Sequence, residues 1–252
     1  MSSDPPPWRG FTFPLNVFMH ILTHEEGGVR YLHYGLFEHE RDRLSTAQDR
    51  STDLLLSRLP PPPCRILEAG IGLGTTMAWL LARGYDALGI TPDEHQIAMV
   101  QEKYSGMPVR CAAFETLDTG QTFDLLLFQE SSQYIDSEAL FARAATLAPR
   151  VLVLDEFALK PLDEEGALHS LSGFVDAASR HGYRVTEDLD LSAKAAPTMD
   201  YFTHRIPQYR EKLIADLGIT DEQVDHLIDN GVKYRQRYAD GVYGYRFLDL
   251  HR

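Results

Sequence analysis

The sequence has 252 residues, with 24 Lys plus Arg against 37 Asp plus Glu and a formal net charge of −13. Hydrophobic residues at 44% and charged residues at 24% suit a soluble globular chain with a sizeable core and exclude a disordered one. The acidic excess repels phosphate backbones, so nucleic acids and anionic membrane surfaces are excluded as first partners.

The start, Met1-Ser-Ser-Asp-Pro-Pro-Pro, has no basic region leading into an apolar stretch, and no run nears the roughly 18 apolar residues of a membrane span. The proline-rich opening to Pro14 reads as an extended arm. From Leu15 to Leu59 the pattern is helical, and Pro60 to Pro63 forms a stiff break. Short apolar runs then alternate with amphipathic stretches, the form of a parallel sheet covered by helices. Strands are expected at Arg65–Glu68, Asp86–Ile90, Val109–Cys111, Phe123–Phe128, Val151–Phe157 and Tyr183–Asp190. Helices are expected at Thr75–Arg83, Asp93–Tyr104, Glu138–Leu147 and Ser170–His181. After Leu191 a mainly helical stretch runs to Gly241, ahead of a final strand at Tyr245–Leu250. The expected organisation is an arm and helical lid (1–63), an α/β Rossmann-like core with a doubly wound, mostly parallel sheet (64–190), a helical cap (191–243) and the last core strand (244–252). Cys64 and Cys111, the only cysteines, fall on strands expected to be non-neighbouring, so a reducing cytoplasm is the simplest setting.

Arg65-Ile-Leu-Glu-Ala-Gly-Ile-Gly-Leu-Gly-Thr75 is a strand ending in an acidic residue, a Gly-x-Gly-x-Gly turn, then a helix start. Gly70, Gly72 and Gly74 permit positive φ and close ligand approach, and the helix start offers free N–H groups. The dinucleotide spacing Gly-x-Gly-x-x-Gly is broken by Thr75, and no Gly-Lys-Ser/Thr follows for a triphosphate. Glu68 suits a cationic, phosphate-free nucleoside, because its carboxylate can meet an ammonium group.

This segment resembles the first motif of the class I S-adenosylmethionine-dependent methyltransferases, whose sheet has a reversed last strand. Gly89-Ile-Thr91-Pro-Asp-Glu-His-Gln96 is similar to the branch holding cyclopropane, mycolic-acid, sterol and tocopherol methyltransferases. The resemblance implies that Thr91 and Gln96 bind ribose; Asp93 replaces that branch's Ser and is a candidate to share the task. It likewise implies Phe114 and Glu115 beside the adenine, and Gln129 and Glu130 at the end of the fourth strand lining the transfer site. Tyr31-Leu-His-Tyr34 resembles the aromatic segment that folds over the methionine end, with either Tyr31 or Tyr34 reaching the carboxylate.

The expected function is methyl transfer from S-adenosylmethionine to a small metabolite, leaving S-adenosylhomocysteine. His33 and Glu130 are the catalytic candidates, with Glu156 a further base candidate for a hydroxyl acceptor. The alternatives are lipid modification of the cyclopropane-synthase kind and a cofactor-binding module without turnover. A homodimer is compatible with the sequence. His20 and His24 share a helix face, but nearby residues form no metal motif, so they read as the polar face of a mobile lid. Tyr234 to Arg246 gathers tyrosines and arginines that read as a pocket wall or as ordinary packing.

Overall fold

The Val-, Leu- and Ile-rich runs pair into one sheet in the computed structural model, which describes residues 6, 8, 10–39, 41–161 and 168–252. Its strands are β1 (Arg65–Ala69), β2 (Asp86–Thr91), β3 (Val109–Cys111), β4 (Leu125–Gln129), β5 (Arg150–Ala158), β6 (Arg184–Asp190) and β7 (Tyr243–His251). The seven strands lie in the order β3-β2-β1-β4-β5-β7-β6. The first five pair in parallel, while β7 runs antiparallel to both β5 and β6. Every residue of β4 is buried, as a central strand covered on both faces requires, whereas β6 alternates because it is the edge.

The chain divides into two compact units, one of residues 51–192 with 241–252 and the other of 1–50 with 193–240. In the first, α3 (Thr75–Ala82), α4 (Glu94–Lys103), α5 (Ser137–Leu147) and α6 (Leu171–Arg180) connect the strands. Leu140, Phe141 and Ala144 of α5 and Phe174, Ala177 and Ala178 of α6 share a core with Leu126, Phe128, Val151, Val153 and Leu248. Because β1 has β2 on one side and β4 on the other, the order reverses there. The carboxyl ends of β1 and β4 therefore flank a topological switch point, the usual ligand crevice of such sheets.

The other unit contains α1 (Leu15–Glu26), α8 (Pro197–Leu217) and α9 (Asp221–Ala239). Val17, Ile21 and Leu22 of α1 pack with Tyr201, Phe202, Ile206 and Leu213 of α8 and Val224 and Leu227 of α9. Gly218 stops α8 at φ 67, and Thr220 and Gln223 start α9 through a reciprocal capping box. The division passes through α2 (Leu44–Leu56), upstream of Pro60–Pro63, and returns beside the short helix α7 (Ser192–Ala195).

The region read as helical from Leu15 to Leu59 holds two helices, α1 and α2. Gly27 at φ 77 and Gly28 at φ 151 end α1, and the described residues between it and α2 form no helix. Half of the proline-rich opening to Pro14 (residues 1–5, 7 and 9) lies outside the described residues. Among the described residues, no helix is long and apolar enough to cross a membrane.

Candidate active site

β1 delivers Glu68 and Ala69 to the switch point, and the chain then turns through Gly70, Gly72 and Gly74, all at positive φ (82, 50 and 72). Two of these glycines serve the protein's own packing. A Cβ on Gly70 would lie 2.3 Å from the Ser131 Cβ, and one on Gly74 would lie 3.0 Å from a Val100 methyl. The turn is held by Gly70 N–H donating to the Ile90 carbonyl (2.8 Å) and Gly74 N–H to that of Ile71 (2.8 Å). At the start of α3 no side chain caps the helix, which leaves its first N–H groups to other acceptors.

Glu68 is 2% exposed and burial raises its pKa to about 8, so the apo carboxyl is largely protonated at neutral pH. Its Oε2 has no hydrogen-bond partner among the described residues. A buried carboxyl with an orphaned oxygen is unfavourable unless something polar meets it. A cationic ammonium group fits that need.

At the end of β2, the Thr91 hydroxyl donates to Gln96 Oε1 (3.0 Å) and accepts from Asp93 N–H (3.3 Å). Asp93 is the N-cap of α4, its Oδ1 accepting from the N–H groups of His95 (2.8 Å) and Gln96 (3.2 Å). The geometry thus joins Thr91 and Gln96 and gives Asp93 the structural task of starting the helix.

β4 ends in a tight polar constellation. Gln129 has both ends of its amide engaged, accepting from the Thr76 hydroxyl (3.1 Å) and donating to the Thr52 hydroxyl (3.4 Å). Glu130 is the only non-glycine described residue at positive φ (54), a conformation that costs about 1–2 kcal/mol outside glycine. Its Oε1 accepts from the fully buried Tyr245 hydroxyl at 2.6 Å, and burial first, then the Glu130 charge, raises the Tyr245 pKa well above the phenol range. Alongside, Asp155 accepts from the Ser132 hydroxyl (2.6 Å) and from the Gln133 and Glu156 N–H groups; burial lifts its pKa to about 6 against those hydrogen bonds.

The family described as "Methyltransferase domain" matches residues 67–152, which span the glycine turn, Thr91, Gln96 and Glu130. Residues 67–152 thus match a methyltransferase domain, the part of the chain that holds the switch point. Solved structures share its fold over most of their length. A cyclopropane synthase from Mycobacterium tuberculosis has 20% identity and TM-score 0.77, covering 88% of this chain and 90% of that one. A putative sarcosine dimethylglycine methyltransferase from Galdieria sulphuraria has 14% identity and TM-score 0.79, covering 92% and 97%. The [4+2]-cyclase SpnF has 20% identity and TM-score 0.76, covering 92% of each chain. No curated protein matches the sequence.

The remaining expected residues fall in two places. Phe114 and Glu115 stand on a single 3-10 turn after β3. Phe114 is 3% exposed, lies edge-on to Phe128 at 5.1 Å and packs in the core beside the sheet. Glu115 is exposed beside it. Tyr31, His33 and Tyr34 belong to the helical unit. There the Tyr31 hydroxyl donates to Asp49 (3.0 Å), that of Tyr34 to the Met199 sulfur (3.0 Å), and His33 Nδ1 donates to the Tyr34 carbonyl (2.9 Å). Burial lowers the His33 pKa to about 4, so its imidazole is neutral at pH 7 and a weak base.

The aromatic and basic tail resolves into packing and ion pairs: Arg246 meets Asp188 (2.7 Å) and Asp190 (3.0 Å), and Arg235 meets Asp200. Tyr245 stood in that tail without an assigned role, and Asp155 was missed. Its signal was the single break, Asp-Glu, in the apolar run Val151 to Phe157.

Proposed function

We propose that this methyltransferase moves the sulfonium methyl group of S-adenosylmethionine to a small-molecule acceptor. The observation that carries the reading is Glu68: a buried carboxyl with an unpartnered oxygen, placed by β1 at the switch point immediately before the glycine turn. In this reading Glu68 meets the ammonium group of the methionine end, while the backbone at Gly72 and the open start of α3 border it. Thr91 and Gln96 meet the ribose hydroxyls, and Glu115 the adenine amine. The net charge of −13 disfavours a polyanionic acceptor, which leaves small metabolites.

The bound cofactor supplies an electrophilic methyl group. The nucleophile of the acceptor takes that methyl by in-line displacement, leaving the thioether S-adenosylhomocysteine. The chain's contribution is chiefly orientation, because proximity and alignment carry such reactions. Glu130, held by Tyr245 at the end of β4, orients the acceptor.

A second reading, methylation or cyclopropanation of an acyl chain, draws support from the fold shared with the cyclopropane synthase. One experiment separates the two. The protein is incubated with radiolabelled-methyl cofactor and a cell extract, which is then partitioned between water and organic solvent. Label in an aqueous small product supports the first reading, label in lipid supports the second, and no transfer in the presence of measured cofactor binding refutes both in favour of a binding module without turnover.

A further inference from the structure

The expectation that His20 and His24 form a polar, mobile surface is overturned within the helical unit, since His20 is fully buried. Its Nε2 lies 2.8 Å from Asp216 Oδ2 at the end of α8, and its Nδ1 is buried with no hydrogen-bond partner among the described residues. His24, one turn further along α1, stands edge-on to His20 at 4.5 Å and stacks on Tyr209 at 5.9 Å with an interplanar angle of 17°. Trp8 covers both imidazoles, its ring 4.6 Å from His20 and 5.7 Å from His24. Imidazoles at i and i+4 on one helix face, with a carboxylate from a facing helix, offer three ligand atoms all within 4.8 Å of one another.

We propose that His20, His24 and Asp216 bind one late first-row divalent cation of the zinc or nickel type, bracing α1 against α8. The donor set decides the class of ion. Two nitrogens and one carboxylate suit zinc or nickel, while magnesium and calcium require oxygen-rich shells. Ligand bonds of about 2.1 Å place tetrahedral donors roughly 3.4 Å apart. His20 and Asp216 are already closer than that, and the exposed side chains of His24 and Asp216 have the freedom to close the rest. One resident charge competes with the ion: Lys212 Nζ, 3.4 Å from His24 Nδ1, on an exposed flexible stem. The site lies wholly in the helical unit and does not rest on the methyl-transfer reading.

The test is calorimetric titration of zinc sulfate into the full, untagged chain carrying Cys111→Ser, which removes the exposed thiol as a rival ligand. One equivalent of zinc is expected to bind, with His24→Ala and Asp216→Asn each weakening affinity at least tenfold and Lys212→Gln strengthening it. Magnesium chloride is expected to give no binding heat. Zinc should raise the melting temperature of the unaltered site but not that of His24→Ala, with circular dichroism confirming that each variant is folded. The proposal is overturned by the absence of a stoichiometric zinc site, or by equal affinity in His24→Ala and Asp216→Asn. Both substitutions are at exposed positions, so loss of the fold in one leaves the other to decide.

Discussion

Glu68 makes cofactor binding a protonation event. Its carboxyl has a pKa of about 8 in the free protein, where burial alone opposes the charge. At pH 6.5 such a group is about 97% protonated, and a ligand α-amino group of pKa about 7.7–8.0 is likewise almost fully cationic. Forming the ammonium–carboxylate pair at that pH therefore expels close to one proton per site. Calorimetry of S-adenosylhomocysteine binding in two buffers of different ionisation enthalpy measures this release directly, because the difference in observed heat divided by the difference in ionisation enthalpy is the proton count. Glu68→Gln preserves the shape and cannot release a proton, so its count should fall toward zero while affinity drops. The free protein carries the matching stability signature. Between pH about 4.5 and about 8 the unfolded carboxyl is ionised and the folded one is not, so the folded state binds more protons and stability falls as pH rises, by up to ~1.4 kcal/mol per pH unit. Buffer-independent binding heats in the wild type, or identical pH–stability slopes in wild type and Glu68→Gln, would refute the reasoning.

Four further outcomes test the neighbouring residues. Gly72→Val puts a β-branched residue at φ 50 and should lower S-adenosylhomocysteine affinity by at least tenfold, with circular dichroism still reporting a folded chain. Thr91→Val with Gln96→Leu should weaken that affinity by about 1 kcal/mol for each lost hydrogen bond to ribose. Asp93→Ala serves as the contrast, costing about 1 kcal/mol of stability through the lost cap of α4; an affinity loss equal to that of the double variant would return Asp93 to the ribose site. Tyr245→Phe leaves Glu130 Oε1 without its buried donor and should cost about 1–3 kcal/mol in denaturant unfolding. It should also lower kcat more than the affinity for cofactor, and an equal effect on both would assign the pair to packing alone.

The sequence by itself determined whatever rests on neighbours along the chain. The alternation of apolar runs and amphipathic stretches located β1 to β7 to within a few residues, since strand and helix periodicity are local properties. The glycine turn was legible for the same reason, as was the Thr91–Gln96 pair, five residues apart across one strand end and one helix start. Tertiary structure decided what joins distant segments. Tyr245 reaches Glu130 across 115 residues because β7 reverses direction and pairs with β5, which no local pattern states. His20 meets Asp216 across 196 residues only because α1 and α8 share a core. Burial, too, is a property of the packed chain. An Ala-Phe-Glu run does not reveal whether its aromatic faces a ligand or Phe128, and a lone Glu before a glycine turn does not reveal its own desolvation. The shift of the Glu68 pKa to about 8 arises when β2 and β4 close around β1 and remove the water that would have solvated its charge.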